Sequence, residues 1–389
     1  MLVQRKLNLH IYPSPFRNES RILKETKSII DLGLCDEVII AATWKEGLSV
    51  EEYIDEKRKV HRFKSFFQNL PENIITDALR FTHYMFLVFF RFKKEKPDYV
   101  NCHSLSVLFV GVLFKKITQS QLIYDPHELE TERAGLKGIK QKISKWLERK
   151  LIKYIDHLIV VSDSIGEWYK REYNLKEVFV IRNIPDNRNT KTGTSTILKD
   201  KFNIPDNDLL FIYQGLLSKG RGLELLLNTF AEISTNKHLV IMGYGVLEPI
   251  IKKYESKYTN IHFQEAVKPE EIMRYTEGCD IGISLIENIG LSYYYCLPNK
   301  FFEYILSGIP VIASDFPDMS FYINKTQCGW IAKPEKEAFV KVLNEIKLED
   351  VILKKKNCTG LNSTLGWHNE EKSLIPIYRS KANILNLIL

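Results

Sequence analysis

The chain has 389 residues, of which 44% are hydrophobic and 26% are charged, and its formal net charge is +7. This length predicts two domains of similar size, and the composition is that of an ordinary globular protein. The mild positive charge fits an anionic ligand or an anionic membrane surface, but no recognised nucleic-acid motif accompanies it, which disfavours a nucleic-acid partner.

The six cysteines are widely scattered and include no C-x-x-C pair. This spacing disfavours both a disulfide framework and a zinc site, and it favours a reducing compartment. Residues 1–6 lead directly into a strand-like segment and lack the shape of a signal peptide. We therefore expect a cytoplasmic protein.

The first 42 residues predict a β-α-β unit. Residues 7–12 alternate like a strand, residues 20–32 read as a helix that ends at Gly33, and residues 38–42 form an apolar run typical of a buried parallel strand. The turn after the first strand lacks the G-x-G-x-x-G fingerprint of dinucleotide-binding domains. Hydride-transfer chemistry therefore has no support.

Residues 73–94 form the one long apolar segment, which Arg80, His83 and Arg91 interrupt. Its unbroken apolar run is shorter than the ~20 residues that a membrane span needs. The segment predicts a helix packed on the core, and a helix that touches a membrane is the alternative. The sequence predicts four further strands in this half of the chain, at 97–103, 122–125, 157–162 and 178–181.

The strand at 122–125 leads into Asp125, Pro126, His127 and Glu128. In open parallel sheets, ligands bind at the carboxyl ends of the strands, so these side chains are placed to meet a substrate. The alternative is a capped turn, in which Asp125 or Glu128 caps a helix and His127 has no function.

Residues 137–154 predict a basic amphipathic helix. Its apolar side comprises Ile139, Ile143, Trp146, Leu147 and Leu151. Its charged side comprises Lys140, Lys142, Lys145, Arg149, Lys150 and Lys153. A solvated helix face explains this pattern, and the alternative is peripheral contact with an anionic membrane at the inner face of the cell membrane.

Residues 187–195 are polar, rich in turn formers and free of aromatics, which predicts a linker between the two domains. A strand at 209–215 follows, and then a glycine-rich loop that contains Lys219 and Arg221. Glycines let the backbone approach phosphate closely, and the two cations suit a diphosphate. Residues 206–208 spell D-x-D before that strand, and their context predicts a turn.

The most informative stretch is 297–315. Pro298 and Asn299 precede an apolar stripe at helical spacing, Gly308 ends that helix, and residues 311–313 predict a buried strand. The free N–H groups and dipole of the helix N-terminus suit a diphosphate, and Glu303 could accept hydrogen bonds from a ribose. The alternative is an ordinary helix–turn–strand connection.

Stretch 297–315 resembles the donor-binding segment of retaining GT-B glycosyltransferases of family 4, also called glycosyltransferase group 1. The Asp-Pro-His-Glu run at 125–128 is similar to the acceptor-side strand end of that family, and the likeness extends loosely over most of the chain. It implies an α/β fold of two Rossmann-like, doubly wound domains that face across a cleft. Residues 1–186 would bind the acceptor, with a terminal helix at 368–389 packed back on them, and residues 187–367 would bind the nucleotide-sugar.

The resemblance also implies roles for individual residues. His127 would contact the donor sugar near the reacting carbon, with Asp125 or Glu128 in support. The implied donor-binding residues are Gly215, Lys219, Arg221, Gly243, Val267, Leu297, Pro298, Asn299, Lys300 and Glu303. The sequence departs from the family at Leu216, where many members have an arginine, and at Tyr295, where many have a glutamate.

The implied activity is a hexosyltransferase-type reaction in cell-surface polysaccharide synthesis. A sugar would pass from a nucleoside-diphosphate sugar to a glycan or lipid-linked saccharide, with retention of the anomeric configuration. We expect no metal and no other cofactor, because no carboxylate cluster in the sequence resembles a magnesium site. The alternatives are a GT-B-fold sugar-nucleotide epimerase and a nucleotide-sugar-binding module that has lost catalysis.

Overall fold

A computed structural model describes residues 5–17, 19–186, 188 and 195–379 of this protein. The chain forms two compact units, Met1–Arg182 with Glu370–Leu389 and Asn183–Asn369. It therefore enters the second unit once and returns to the first near its end. Most of the predicted linker at 187–195, the first four residues and the predicted helix beyond residue 379 lie outside the described residues.

The first unit contains an eight-stranded sheet in the order β3-β4-β2-β1-β5-β6-β7-β8. Its strands are β1 (Leu7–Tyr12), β2 (Glu37–Thr43), β3 (Glu51–Tyr53), β4 (Arg58–Phe63), β5 (Tyr99–Cys102), β6 (Gln121–Tyr124), β7 (His157–Val160) and β8 (Phe179–Val180). Only β3 of these pairs antiparallel, with β4. The central strands are buried on both faces, which explains their nearly continuous apolar sequences.

The helices of the first unit connect these strands. They are α1 (Ser20–Asp31), α2 (Ile74–Phe92), α3 (Leu105–Thr118), α4 (Gly138–Leu151) and α5 (Asp163–Tyr173), with a 3-10 turn at Ile152–Tyr154. Asn73 fixes the start of α2, because its side chain accepts hydrogen bonds from the backbone N–H groups of Ile75 and Thr76 at 3.0 Å. The order of the strands reverses between β1 and β5. That reversal marks the switch point where open α/β sheets bind ligands.

The second unit contains a six-stranded parallel sheet in the order β11-β10-β9-β12-β13-β14. Its strands are β9 (Leu209–Leu216), β10 (Lys237–Tyr244), β11 (Ile261–Glu265), β12 (Ile281–Ser284), β13 (Val311–Ser314) and β14 (Gly329–Ala332). Its helices are α6 (Ile197–Phe202), α7 (Leu223–Phe230), α8 (Glu248–Glu255), α9 (Ile272–Thr276), α10 (Leu291–Tyr294), α11 (Asn299–Leu306), α12 (Pro317–Thr326), α13 (Lys336–Glu345) and α14 (Leu348–Gly360), with a 3-10 turn at Pro269–Glu271. Here the strand order reverses between β9 and β12.

The end of the chain differs from the single helix that the sequence predicts. It is divided into α15 (Trp367–Glu370), a 3-10 turn (Glu371–Leu374) and α16 (Ile375–Tyr378). Pro376 lies in the first turn of α16, and because it has no N–H to donate to the preceding turn, it interrupts a continuous helix. This segment contacts the first unit, since the hydroxyl of Tyr99 donates to the carbonyl of Tyr378 at 2.5 Å.

The long helix α2 is less deeply packed than predicted. Its buried residues are Thr76, Tyr84, Val88, Phe89 and Phe92, whereas Ile74, Ile75, Phe86 and Phe90 are exposed. The D-x-D triplet at 206–208 forms the predicted turn, and the N–H of Asp208 donates to the carbonyl of Pro205 at 3.0 Å. Oδ2 of Asp208 also lies 3.1 Å from Nε2 of His238, and this contact links the turn to strand β10.

Candidate active site and donor site

A cavity of about 580 Å³ opens at the carboxyl edge of the first sheet. Residues that follow β1, β5 and β6 form most of its wall. The lining residues are Tyr12, Pro13, Ser14, Phe81, His103, Ser104, Ser106, His127, Glu128 and Arg133. The cavity therefore lies at the switch point of this sheet, where the topology favours a ligand.

His127 reaches this cavity with about a third of its side chain exposed, at 30%. Its ring stacks on Tyr12 with the centroids 6.2 Å apart, and its Nε2 lies 3.1 Å from Nδ1 of His103. Burial of most of the ring lowers the pKa of His127 to about 3, against the opposing effect of Asp125. The imidazole is therefore neutral near pH 7.

Asp125 is fully buried and lies behind His127 rather than on the cavity wall. Its Oδ1 accepts from Nη2 of Arg21 at 2.7 Å, and its Oδ2 lies 3.1 Å from Nδ1 of His103 and 3.8 Å from Nε2 of His127. Burial alone would raise the pKa of Asp125, but Arg21 and His103 hold that pKa well below its usual range. The structure thus brings Asp125 to His127 as a buried anion.

This anion sets the proton positions of the two histidines. A carboxylate can only accept, so Nδ1 of His103 carries a proton and donates it towards Asp125 and the neighbouring Nε2 of His127. Nε2 of His127 is then an acceptor, and its remaining proton is on Nδ1. In this arrangement His127 offers a neutral N–H donor to a bound hydroxyl.

A chain of buried polar groups continues from His103 into the sheet, and the sequence pattern did not predict it. Nε2 of His103 lies 2.8 Å from Nδ1 of His10, and Nε2 of His10 lies 2.7 Å from Oδ1 of Asn8. Asn8 donates to Asn101 at 2.8 Å, and Asn101 donates to the hydroxyl of Tyr378 at 2.7 Å. We call His10, His103, Asn8, Asn101 and Tyr378 the strand network.

Glu128, the third predicted residue of this group, is on the cavity wall with 40% of its side chain exposed. Its Oε1 accepts from Nε of Arg133 at 2.9 Å. The ion pair places both charges at the rim of the cavity. Glu128 therefore lines the same cavity as His127, and its predicted supporting role stays a prediction.

The possible metal-ligand atoms of His103, Asp125 and His127 all lie within 4.8 Å of one another. Such a trio has the ligand types of a metal site. However, Arg21 already pairs with Asp125, and a bound cation would compete with that guanidinium. The expectation of a metal-free enzyme remains a prediction that chelation can test.

In the second unit, Lys300 is the most unusual of the predicted donor-binding residues. Its side chain is buried at the start of α11, and its Nζ lies 3.7 Å above the ring of Tyr213. This Nζ has no hydrogen-bond partner among the described residues. Burial, followed by the charge of Arg221, lowers the pKa of Lys300 well below its usual value.

Arg221 is the second cation at this position. It is half-buried, its guanidinium lies 5.8 Å from the ring centroid of Tyr293, and its Nε lacks a hydrogen-bond partner among the described residues. Lys219, in the same loop, is exposed. A buried cation with unused donors is costly unless an anion binds, so Arg221 and Lys300 together form a candidate anion site.

Glu303 lies one turn into α11 and is half-buried. Nε2 of Gln214 donates to its Oε2 at 2.6 Å, and Oε1 of Gln214 in turn accepts from the hydroxyl of Thr276 at 2.7 Å. These contacts fix the carboxylate beside the end of β9. Gln214 is a residue of this site that the sequence pattern did not identify.

Gly243, one of the predicted glycines, has a packing role that spacing alone does not reveal. Gly215 and Gly243 are partners in the parallel register of β9 and β10. A Cβ on Gly243 would lie 1.9 Å from the carbonyl oxygen of Gly215. Gly243 is therefore required by the approach of two strands, whether or not a nucleotide binds there.

The remaining predicted donor residues occupy different environments. Leu297 is buried in the core, and Val267 packs against the same core cluster. Pro298 precedes α11, and Asn299 is exposed as its first residue. Of the family positions that this sequence changes, Leu216 is 45% exposed and brings no charge to the loop.

No helix among the described residues combines the length and apolar character needed to cross a bilayer.

Two family models match the chain. The model described as Glycosyltransferase Family 4 matches residues 33–186, and the model described as Glycosyl transferases group 1 matches residues 208–347. The first range contains His127 and the cavity residues other than Tyr12, Pro13 and Ser14, and the second contains Arg221, Lys300 and Glu303.

Several solved structures share the fold. A sucrose-phosphate synthase from Thermosynechococcus elongatus is 14% identical, with 96% of this chain and 98% of that chain covered and a TM-score of 0.76. HepE of Anabaena in complex with UDP and glucose is 14% identical over 96% and 99% of the two chains, with a TM-score of 0.69. WaaG, a glycosyltransferase involved in lipopolysaccharide biosynthesis, is 13% identical over 96% and 100%, with a TM-score of 0.68. These matches confirm the predicted GT-B fold.

Proposed function

Because the chain belongs to glycosyltransferase group 1, family 4, we propose that it transfers a sugar from a nucleoside-diphosphate sugar to a hydroxyl of a glycan or lipid-linked saccharide. The observation that supports the donor class is the pair of basic side chains Arg221 and Lys300. Lys300 is buried, and its Nζ has no hydrogen-bond partner among the described residues. A diphosphate would supply the missing anion.

A uridine nucleotide is the donor that the structural neighbours favour. HepE was solved with UDP and glucose and also with UDP-glucose, and a structure from E. coli was solved with UDP-2-fluoro glucose at a TM-score of 0.72. At 9% to 14% identity these neighbours share the fold alone, so the nucleotide is part of the proposal. Glu303, held by Gln214, would accept hydrogen bonds from the ribose hydroxyls of the donor.

The proposed reaction retains the anomeric configuration. The acceptor oxygen forms a bond to the anomeric carbon on the face from which the diphosphate leaves, the bond from that carbon to the phosphate oxygen breaks, and the acceptor proton passes to a diphosphate oxygen. His127 has a pKa of about 3, so it is a poor proton acceptor at neutral pH. Its neutral N–H would instead hold a hydroxyl of the donor sugar.

We propose that neither a metal nor another cofactor takes part. Charge on the departing diphosphate would be stabilised by Arg221, Lys300 and the first backbone N–H groups of α11. The saccharide acceptor and a role in cell-surface polysaccharide synthesis rest on the family resemblance, and the neighbour WaaG acts in lipopolysaccharide biosynthesis.

The test is thermal denaturation with UDP-, GDP-, ADP- and dTDP-sugars, each with and without EDTA. We expect one nucleotide class, that of uridine, to raise the Tm, and the rise to persist with EDTA. A rise that EDTA abolishes would contradict the metal-free mechanism, and the absence of any rise would contradict the donor site.

A second measurement separates transfer from epimerisation. The selected donor is incubated with candidate saccharide acceptors, and the anomeric proton of the product is followed by NMR. Retention predicts the same anomeric configuration in the product as in the donor. Conversion of the donor into another sugar nucleotide without any acceptor would identify an epimerase instead.

A further inference from the structure

Helix α4 places its polar side inward. The buried carboxylate of Glu148 accepts hydrogen bonds from the hydroxyls of Tyr124 and Tyr169 at 2.8 Å and of Tyr173 at 2.6 Å. One turn earlier on the same side, Lys145 pairs with Glu132. These contacts fix the rotation of the helix about its axis.

With that rotation, Ile139, Ile143 and Trp146 of the apolar side face solvent, whereas Leu147 is half-buried and Leu151 is buried. Ile139 is 76% exposed, Ile143 is 58% exposed and Trp146 is 61% exposed. Their spacing of four and three residues puts them on one stripe of the helix. A surface helix normally turns such a stripe towards the core, so the arrangement in α4 is reversed.

The neighbouring helices extend this apolar surface. α2, α3 and α4 pack side by side, and the right-handed crossovers between parallel strands put all three on one face of the sheet. Phe86 and Phe90 of α2 are 55% and 47% exposed, and Phe109 of α3 is 51% exposed. We call Ile139, Ile143, Trp146, Phe86, Phe90 and Phe109 the apolar face.

Basic residues accompany the apolar face. On α4, Arg149 pairs with Glu172, whereas the exposed Lys140, Lys142 and Lys150 form no ion pair with a described residue. A protein core or a neutral lipid surface would offer these ammonium groups no counter-charge. An anionic lipid headgroup layer offers one, and the acyl chains below it accept the aromatic and aliphatic side chains.

We propose that the apolar face docks on an anionic lipid bilayer, with Ile139, Ile143 and Trp146 inserted at the headgroup boundary and the lysines of α4 among the phosphates. This inference goes beyond the proposed transfer reaction and does not depend on it. Docking would hold the protein peripherally, at a surface where a lipid-linked acceptor resides.

The test is co-sedimentation of the full chain with vesicles of phosphatidylcholine alone or mixed with phosphatidylglycerol. We expect at least about tenfold tighter binding to the anionic vesicles than to the neutral ones. High salt should weaken this binding, because it screens the attraction between the lysines and the anionic headgroups. Equal binding to both vesicle types, or no binding to either, would overturn the proposal.

Variants locate the surface. The double variant Ile143→Ser/Trp146→Ser should lose about tenfold or more of the affinity for anionic vesicles, and Lys140→Glu about fivefold. Matched controls in the second unit are Val246→Ser, just before α8, where the side chain is 78% exposed, and Lys253→Glu on α8. We expect these controls to bind like the unchanged protein. Losses as large in the controls would overturn the assignment to α4.

Two further readouts distinguish membrane insertion from misfolding and from dimer formation. Lipids brominated near the headgroups should quench the fluorescence of the unchanged protein more than that of Trp146→Phe. The Tm and the donor-induced Tm shift should stay the same in the surface variants, so that loss of docking is separated from misfolding and from loss of donor binding. If the free protein instead forms a dimer that Ile143→Ser/Trp146→Ser dissociates, the face belongs to a second copy and the proposal is wrong.

Discussion

The candidate sites of the two units have opposite electrostatic designs. In the first unit, the ring of His127 is neutral, Asp125 is paired with Arg21, and Glu128 is paired with Arg133. In the second unit, Arg221 and Lys300 have donor atoms without hydrogen-bond partners among the described residues. The first arrangement suits the orientation of an uncharged sugar, and the second suits the binding of an anion. The two candidate sites thus differ in how completely their charges are compensated.

The sharpest test of this division is His127→Ala. We expect turnover to fall about 10²–10³-fold, because a hydrogen-bond donor preorganised for the transition state is removed. Affinity for the donor should change little, since the proposed diphosphate site lies in the second unit. Initial rates and a donor titration measure the two quantities.

The matched control is His157→Ala, in the same unit but at the amino end of β7, away from the cavity. It should retain nearly full turnover. If His127→Ala weakens donor affinity as much as it slows turnover, His127 has no separate role in the chemical step.

The next largest effect is expected for Lys300→Met. Donor affinity should fall about 10–100-fold, the amount that a charge-assisted hydrogen bond to phosphate supplies. Stability should not fall, because the variant removes a buried ammonium that has no hydrogen-bond partner among the described residues. Calorimetric titration with the donor and urea unfolding without it measure both effects.

Lys219→Met serves as the control, because Lys219 is in the donor loop but exposed. Its effect on affinity should be several-fold smaller. A clear loss of stability in Lys300→Met would show that the ammonium supports the fold rather than a ligand.

The smallest effect concerns pH. The pKa of His127 is about 3 in the folded protein and near 6.5 when unfolded, so between these values the unfolded chain binds more protons. The contribution of this ring to stability is complete above about pH 6.5 and falls by up to about 1.4 kcal/mol per pH unit as the pH drops towards 3.

Urea unfolding of the protein and of His127→Gln isolates that contribution. When the pH is lowered from 7.5 to 5, the unfolding free energy of the unchanged protein should fall by roughly 1–2 kcal/mol relative to that of His127→Gln. The comparison with the variant cancels groups of opposite sign, such as Glu130, whose pKa burial raises to about 7. A difference that is independent of pH would mean that the ring is not held neutral.

Apolar runs and turn residues predicted most of the parallel strands, because they are local signals. The two Rossmann-like units were implied by the family resemblance. The sequence did not reveal the strand network, which depends on strands that lie next to each other only in the sheet. A signal was nevertheless present. Asn8 and His10 are polar residues in a central strand that is buried on both faces, where apolar residues are expected.

The orientation of α4 was equally hidden from the sequence. Its pattern showed an apolar side and a charged side but not which of them faces the core. Glu148 determines the orientation of α4, because its carboxylate accepts hydrogen bonds from three tyrosines on β6 and α5. Periodicity locates an amphipathic helix, whereas only tertiary contacts fix its rotation.

The return of the chain to its first unit has a consequence for its synthesis on the ribosome. When the nascent polypeptide reaches residue 369, all of the second unit has been translated, but Tyr378, the last member of the strand network, has not. The first unit therefore cannot complete its core before this returning segment has been synthesised. A nonsense mutation near residue 370 would keep the residues of the candidate donor site and leave the buried support of His127 incomplete.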